Sequence, residues 1–430
     1  MRIIASARSD VGRKRPINED SLLSDSELDL YAVCDGMGGH AAGEVASQTA
    51  TAAIRKRVQE RVDAVAKAEP DRIRGLLAEL MREAIEAANA AVYQVGRTDP
   101  SKLGAGTTCT ALLVHAGIAA LGHVGDSRLY LQRGGMFYQI SNDHTFVAEG
   151  MRRGLSLEEA LAQFGRNMLS RAVGPTERIE VDTLVFDLLA GDKLLLCSDG
   201  LHGYFPDTQE LGSLVEPFAT LAERLVDVAN ERGGEDNISV ITLAATDEGP
   251  PTALDSLRKN RITQNLRTLG GIEILRELTY SELLELSGAL VSEEHANGAV
   301  MLREGDRTAA LYILVEGKAQ VERGGKRVAD LVAGTHFGEM ALLTSRPRSA
   351  TVRAVAPCRV LVLTREQLYP LFQSNPIIAV KFLWNLAVRQ SLRLDEVTAW
   401  LSTGAESAPD TVVDENAAEL CASPYSLRRD

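Results

Sequence analysis

What this chain lacks bounds it first. No apolar run in its 430 residues reaches the ~20 positions that cross a bilayer, and the opening Met1-Arg2-Ile3-Ile4-Ala5-Ser6 has no secretory apolar stretch. No membrane partner is implied, and a cytoplasmic location is expected. Positive charge is short: 46 Lys and Arg against 59 Asp and Glu leave a formal charge of -13, which argues against nucleic-acid binding because a phosphate backbone would be repelled. The cysteines Cys34, Cys109, Cys197, Cys358 and Cys421 are odd in number and scattered, with no Cys-x-x-Cys, so neither a disulfide framework nor a thiolate zinc site is expected. None is followed six residues later by arginine, which removes cysteine-nucleophile phosphate chemistry. Cys34 and Cys197, inside apolar runs, read as small core residues. No His-Glu-x-x-His occurs, and His123 and His144 read as hydrogen-bonded structural groups.

What is present is an ordinary globular composition, 45% hydrophobic and 24% charged, in a chain long enough for two or three domains. Apolar strand-like runs alternate with Ala-rich helical stretches (42–66, 72–95) as far as about residue 245. Acidic, Gly and Pro residues at 246–252 then mark a linker, taken as 246–262. Leu266 to Leu290 reads as helical. Val300 to Leu363 reads as short strands broken by frequent turns, a small barrel or jelly roll, and Gln367 to Trp400 as helical with a break at Pro376. The domains expected are 1–245, 263–401 and a disordered tail, 402–430.

Five aspartates stand at the ends of separated apolar runs: Asp20, Asp35, Asp126, Asp199 and Asp236. Tyr31 to Cys34, Leu194 to Cys197 and Ile238 to Leu243 read as buried strands, and if these lie side by side their tips bring carboxylates together. Such a cluster raises its own pKa values unless cations neutralise it, and oxygen-only ligands favour Mg or Mn.

Arg15-Pro16-Ile17-Asn18-Glu19-Asp20, Asp35-Gly36-Met37-Gly38-Gly39-His40, Gly104-Ala105-Gly106-Thr107-Thr108, Gly125-Asp126-Ser127-Arg128, Ser198-Asp199-Gly200-Leu201 and Asp236-Asn237-Ile238-Ser239 occur in one order. Together they resemble the type 2C, metal-dependent serine/threonine protein phosphatases in their bacterial form. The resemblance implies an α+β fold, an α/β/β/α sandwich of two antiparallel sheets flanked by helices, with metals in a cleft at one end. It implies that Asp35 bridges two Mn or Mg ions and the Gly36 carbonyl binds the second. Asp199 and Asp236 would complete the first site, Asp20 would serve the second, and Asp126 with Asp199 a possible third. Glu19 would hold waters from behind, and Arg15 would grip the substrate phosphate as a planar, permanently charged fork, unless it is merely part of a basic surface run. Two ions sharing a water lower its pKa so that it attacks phosphorus in line. His40 is the candidate general acid by proximity to Asp35, although in eukaryotic relatives the histidine follows Asp-Gly more closely. Residues 143–166 match the flap that relatives place beside the cleft, an element expected to help choose protein substrates.

Phe337-Gly338-Glu339-Met340-Ala341-Leu342-Leu343, then Arg346-Pro347-Arg348-Ser349-Ala350-Thr351, resemble the phosphate-binding cassette of cyclic nucleotide-binding domains. Implied there are Gly338, Met340 and Ala341 against the phosphate, Arg348 pairing with it and Glu339 accepting from the ribose hydroxyl. An exposed Glu-Arg ion pair is the plainer reading of the last two. Ser349 is compatible with cAMP or cGMP, with cAMP favoured. The chain therefore reads as a phosphatase acting on phosphoproteins, the products of serine/threonine kinases, under cyclic nucleotide control. A non-catalytic nucleotide receptor, or a phosphatase with a ligand-free barrel used for assembly, are the alternatives.

Overall fold

The computed structural model describes residues 1–38, 41–165, 168–249, 252–344 and 346–403. They divide into two compact units, Met1–Asp255 and the chain from Ser256 onward. The first opens with β1 (Arg2–Asp10), β2 (Ser21–Asp25), β3 (Leu30–Cys34) and the short β4 (Gly36–Met37), followed by long helices α1 (Ala41–Ala66) and α2 (Pro70–Thr98). Then come β5 (Gly106–Thr107), β6 (Cys109–His115), β7 (Ile118–Val124), β8 (Arg128–Arg133) and β9 (Met136–Gln139). Helices α3 (Phe146–Arg152) and α4 (Leu157–Phe164) precede β10 (Asp182–Asp187) and β11 (Lys193–Cys197), and α5 (Asp199–His202), α6 (Thr208–Ser213) and α7 (Leu221–Glu231) lead to β12 (Ile238–Thr246).

The strands make two antiparallel sheets, β1-β12-β11-β8-β9 and β10-β7-β6-β3-β2. The continuous apolar runs have a simple cause: each central strand is covered on both faces. Leu30, Ala32 and Cys34 of β3 pack on Ala46, Ala50 and Ile54 of α1 and on Met81 and Ile85 of α2, while the alternate residues Tyr31 and Val33 are equally buried and β3 lies against β11 and β12. On the other sheet Leu195 and Cys197 meet Leu225, Val226 and Ala229 of α7. Helix α2 earns its place by spacing, with Leu77, Met81, Ile85, Ala88 and Val92 all buried three or four residues apart and Pro70 in its first turn. The four described cysteines are buried free thiols.

Helix α8 (Ala253–Gly271) begins at the end of the first unit's residues, within the segment read as linker, and continues into the second. The stretch read as helical over Leu266 to Leu290 holds two helices: Gly270-Gly271 weaken the first, and a Thr279–Glu282 capping box starts α9 (Tyr280–Ala289). Strands β13 (Val291–His295), β14 (Val300–Leu302), β15 (Ala310–Glu316), β16 (Lys318–Arg323), β17 (Lys326–Val332), β18 (His336–Phe337), β19 (Thr351–Ala354) and β20 (Cys358–Thr364) follow. They form two four-stranded sheets, β13-β20-β15-β18 and β14-β19-β16-β17, the expected jelly roll. One-turn helix α10 (Met340–Leu343) interrupts the strands. Helices α11 (Arg365–Ser374) and α12 (Pro376–Thr403) follow them, broken at Pro376 as expected. No described helix is long and apolar enough to cross a membrane. The tail read as disordered lies, from residue 404, outside the described residues.

One buried ion pair ties the first sandwich. Arg133 of β8 donates to both Asp192 oxygens, at 2.9 and 2.5 Å, and Leu189 N donates to Asp192 at 2.7 Å. Removing one member of a buried pair strands the other charge. Asp192→Ala is expected to destabilise the fold by about 3–5 kcal/mol, read from the denaturation midpoint of the full chain; a loss below about 1 kcal/mol would place the pair with surface bridges.

Candidate functional site

Strand direction alone puts the five aspartates at one end of the sandwich. Ser21 pairs with Cys34, so Asp20 before β2 and Asp35 after β3 share that end. Cys109 pairs with Val124, which brings the turn after β7, carrying Asp126, to the same edge. Cys197 pairs with both Arg128 and Val240, so Asp199 after β11 and Asp236 before β12 join them.

Hydrogen bonds from uncharged side chains then fix each turn. Asp35 N donates to Thr108 Oγ1 at 2.9 Å, while Thr108 N and Thr107 Oγ1 both donate to the Asp35 carbonyl at 2.8 Å. Thr108 Oγ1 lies 2.7 Å from Ser127 Oγ, linking the Asp35 and Asp126 turns. Ser198 Oγ donates to Asp20 Oδ2 at 2.9 Å. Asn237 is the main fastener of the Arg15–Asp20 loop: its Oδ1 accepts from Glu19 N at 2.8 Å, and its Nδ2 donates to the Val11 and Ile17 carbonyls at 3.0 and 2.9 Å. The Gly36 backbone passes so close to the Gly43 and Glu19 carbonyls that a Cβ there would lie 2.2 and 2.4 Å from them. Asn237, Ser198, Thr108 and Ser127 all stand inside the motifs read from the sequence, yet their spacing gave them no role. Only their side-chain bonds do.

The carboxylates act on one another electrostatically. Burial, then the charges of Asp20, Asp199 and Asp126, push Asp35 well above the usual carboxylate range. Asp20 is pushed up to about 7, first by burial and then by Asp199 and Asp236, against the pull of the Ser239 and Ser198 hydroxyls. Asp126 also rises to about 7, through burial and the charges of Asp199 and Asp143. Asp199 is raised by burial and by Asp236, and its carboxyl is within hydrogen-bonding reach of Asp35. Among the described residues no three His, Cys, Asp or Glu side chains close into a ready-made cage. The donor set nevertheless fits hard divalent cations. All five are carboxylates, and Asp20 Oδ1 and Asp199 Oδ1 are buried without a hydrogen-bond partner.

Arg15 is half exposed and its Nη2 donates to Asp236 Oδ2 at 2.7 Å, so it stands at the rim with one side of its fork engaged. Glu19 lies behind the cluster, its side chain against Gly43. His40 lies outside the described residues. The expected flap is a helix pair: α3 and α4 stack Phe146 on Phe164 with centroids 5.8 Å apart, and a Thr145–Leu169 bridge closes its base.

In the second unit Arg348 is buried rather than exposed, and no carboxylate among the described residues lies within ion-pair distance of it. Its Nη1 donates to the Gly338 carbonyl at 2.8 Å, its Nη2 to the Ala310 carbonyl at 2.9 Å and its Nε to Thr308 Oγ1 at 3.1 Å. Gly338 has φ +84°, and a Cβ on it would sit 2.7 Å from Arg348 Nη1, so only glycine seats the arginine this way. Glu339 is half-buried and acts on Arg348 through space; Met340 and Ser349 are exposed, Ala341 buried. Arg365, which the motif reading passed over, donates to the Ala341, Leu342 and Thr344 carbonyls at 2.7 to 2.9 Å, tying α10 to the start of α11.

Comparison with known proteins bears on both units. A family model described as protein phosphatase 2C matches residues 13–239, and one described as cyclic nucleotide-binding domain matches residues 292–375. The chain is 38% identical over 244 residues to the serine/threonine protein phosphatase PstP of Mycobacterium tuberculosis, covering 56% of this chain but 45% of that protein. It thus spans less than half the length of that relative. It is 35% identical over 244 residues to the serine/threonine phosphatase stp of Listeria monocytogenes, covering 55% of this chain and 94% of that one. The crystal structure of the M. tuberculosis phosphatase PstP/Ppp superposes with a TM-score of 0.51 at 36% identity, covering 57% of this chain and 100% of that chain.

The raised carboxylates make a signed prediction. A carboxyl with a folded pKa above its unfolded value stabilises the fold below the unfolded pKa, and that contribution is lost as pH rises through the folded pKa. For Asp20 and Asp126 the window runs from the ordinary carboxylate range to about 7. In chelator the melting temperature is expected to fall between pH 5 and pH 8 by more than in Asp20→Asn; added Mn is expected to reverse the fall at pH 8. Equal slopes in chelator would contradict the cluster's electrostatics.

Proposed function

The chain belongs to the protein phosphatase 2C family, whose model spans residues 13–239, and from that premise we propose that it hydrolyses phosphoserine and phosphothreonine in proteins with Mn or Mg and answers to a cyclic nucleotide. The observation that carries the reading is the convergence of five aspartates from five turns at one end of the sandwich, with buried carboxylate oxygens lacking partners. Bound divalent ions would lower the pKa of water and offset charge on the phosphate in flight. Asp35, Asp199, Asp236, Asp20 and the Gly36 carbonyl are assigned to hold two ions, and Asp126 with Asp199 a third. Glu19 is assigned to orient water behind them. Arg15, at the rim, is assigned to the phosphate: its guanidinium has free donors beyond the one on Asp236. His40 remains our candidate for the acid that protonates the leaving oxygen. We assign catalysis to residues 1–245, sensing to 263–401 and the intervening 246–262 to their junction, in a cytoplasmic protein.

On the sensor side Arg348 and Glu339 are assigned to the cyclic phosphate and the ribose hydroxyl, with Gly338, Met340, Ala341 and Ser349 around them, and cAMP is the favoured ligand. An anion reaching Arg348 competes with the Gly338 and Ala310 carbonyls for the same N–H groups. Arg365 would pass a shift of α10 to α11 and α12. Such a shift alters phosphatase output only if nucleotide prefers one arrangement, by a coupling of typically ~1–3 kcal/mol.

The test is dephosphorylation of a phosphothreonine peptide with Mn, with and without cAMP or cGMP. Asp199→Asn is expected to abolish turnover. Arg15→Ala removes a charge-assisted contact of ~1.5–3 kcal/mol, so kcat/KM should fall about 10- to 100-fold, mainly through KM. No Mn-dependent turnover by the wild type would leave the non-catalytic receptor reading. In Arg348→Ala, calorimetry should find nucleotide binding lost and any nucleotide effect on rate gone; a wild type that itself binds neither nucleotide would instead favour the ligand-free barrel as an assembly surface.

A further inference from the structure

His144 is buried with no exposed surface, and it bonds to three separate segments. Its backbone N donates to the Gly125 carbonyl at 2.8 Å, and its ring Nδ1 accepts from Gly125 N at 3.1 Å, so it clasps the residue before Asp126 on both sides. Because Nδ1 accepts, the proton of the neutral ring sits on Nε2, which donates to Asp182 Oδ2 at 3.0 Å; Arg171 holds the other Asp182 oxygen at 2.7 Å. The His144 carbonyl accepts from Ser170 N at 2.9 Å. One residue further on, Thr145 bridges Leu169 and caps α3. His144 thus sits where residues 146–168 leave and re-enter the fold. On its other side Gly125 packs close to Thr108: its φ is +109°, and a Cβ there would lie 2.6 Å from the Thr108 side chain, so only glycine fits this turn.

We propose that His144 is a positioning residue that fixes the Asp126 turn and joins the base of the α3–α4 helix pair to the metal centre, so that ion uptake by Asp126 and ordering of the flap base rise and fall together. The inference rests on the metal-centre reading above. It deepens that reading by giving the flap a physical line to one particular carboxylate. The line is short: Ser170 N and Thr145 at the base of the helix pair, His144, Gly125 N, and then the residue that bears the ligand.

The two ring nitrogens can be tested apart. Asparagine at 144 places an acceptor near the Nδ1 position and loses the bond to Asp182; glutamine reaches Asp182 and loses the acceptor for Gly125 N. Mn titration of the full chain by calorimetry, with Asp126→Asn identifying the Asp126-dependent class of site, is expected to give H144N within about threefold of wild type. H144Q is expected to weaken that class about tenfold or more, the usual range for residues that orient a metal ligand. H144Q added to Asp126→Asn is expected to change nothing further. Equal losses in H144N and H144Q, or a glutamine effect that persists in Asp126→Asn, would overturn the proposal. A wild type that binds no Mn would instead overturn the metal centre itself. Should the glutamine variant not fold, hydrogen exchange on wild type and Asp126→Asn decides the same point. Mn should slow exchange at Gly125 and at Ser170 together in wild type and at neither in the variant, and protection of Gly125 alone would sink the coupling.

Discussion

Mutual repulsion among carboxylates is the constraint around which the first unit is arranged. Asp20, Asp35, Asp126, Asp199 and Asp236 would scatter if their turns were free to do so. They are held by neutral donors and acceptors: Thr108 on Asp35, Ser198 on Asp20, Asn237 on the loop before Asp20. Neutral fasteners suit the purpose, since a cation placed among the aspartates would compete for the oxygens that face a metal. Arg15 stands at the rim on Asp236 and is half exposed, and Arg128, whose charge also acts on Asp126, is engaged by Asp143. The double-sided burial of β3 and β11 supplies the stiffness that makes such fastening effective.

The second unit handles a charge of the other sign in a related way. Arg348 is buried with carbonyls and a hydroxyl as its partners, so a guanidinium is kept in place without a permanent counter-charge. A neutral cradle is easier to exchange for an anion than a carboxylate would be. Arg365 makes the seat consequential, because three carbonyls of the cassette turn rest on a residue that opens α11. Elsewhere in the unit Lys381 of α12 donates to both oxygens of Glu282 in α9, at 2.9 and 2.8 Å, joining the helices that precede and follow the barrel in the chain.

The central strands were legible because burial on both faces leaves uninterrupted apolar runs such as Leu194 to Cys197, ending at Asp-containing turns. The break at Pro376 was legible because proline lacks the N–H that extends a helix and biases the residue before it, here Asn375, away from helical backbone, whereas Pro370 is carried inside α11. The start of α8 within a segment rich in Gly, Pro and acid was not. Its first turns are exposed, with Leu254 and Leu257 open to solvent, and carry no amphipathic signature. The clustering of aspartates followed from strand ends, but the fasteners did not: serine, threonine and asparagine in turns are too common for spacing to single out Ser198 or Asn237. His144 was read as a structural group, and its two-sided hold on Gly125 becomes visible only when residues far apart in the chain are brought into register.

The Thr145–Leu169 bridge has an evolutionary consequence. It pinches the chain where the α3–α4 excursion begins and ends, so whatever lies between is a closed loop anchored at a single narrow neck. Lengthening such a loop adds little closure entropy, since the cost grows only with the logarithm of its length. A longer or shorter stretch between these two residues can therefore be accommodated while the aspartate-bearing end of the sandwich keeps its shape.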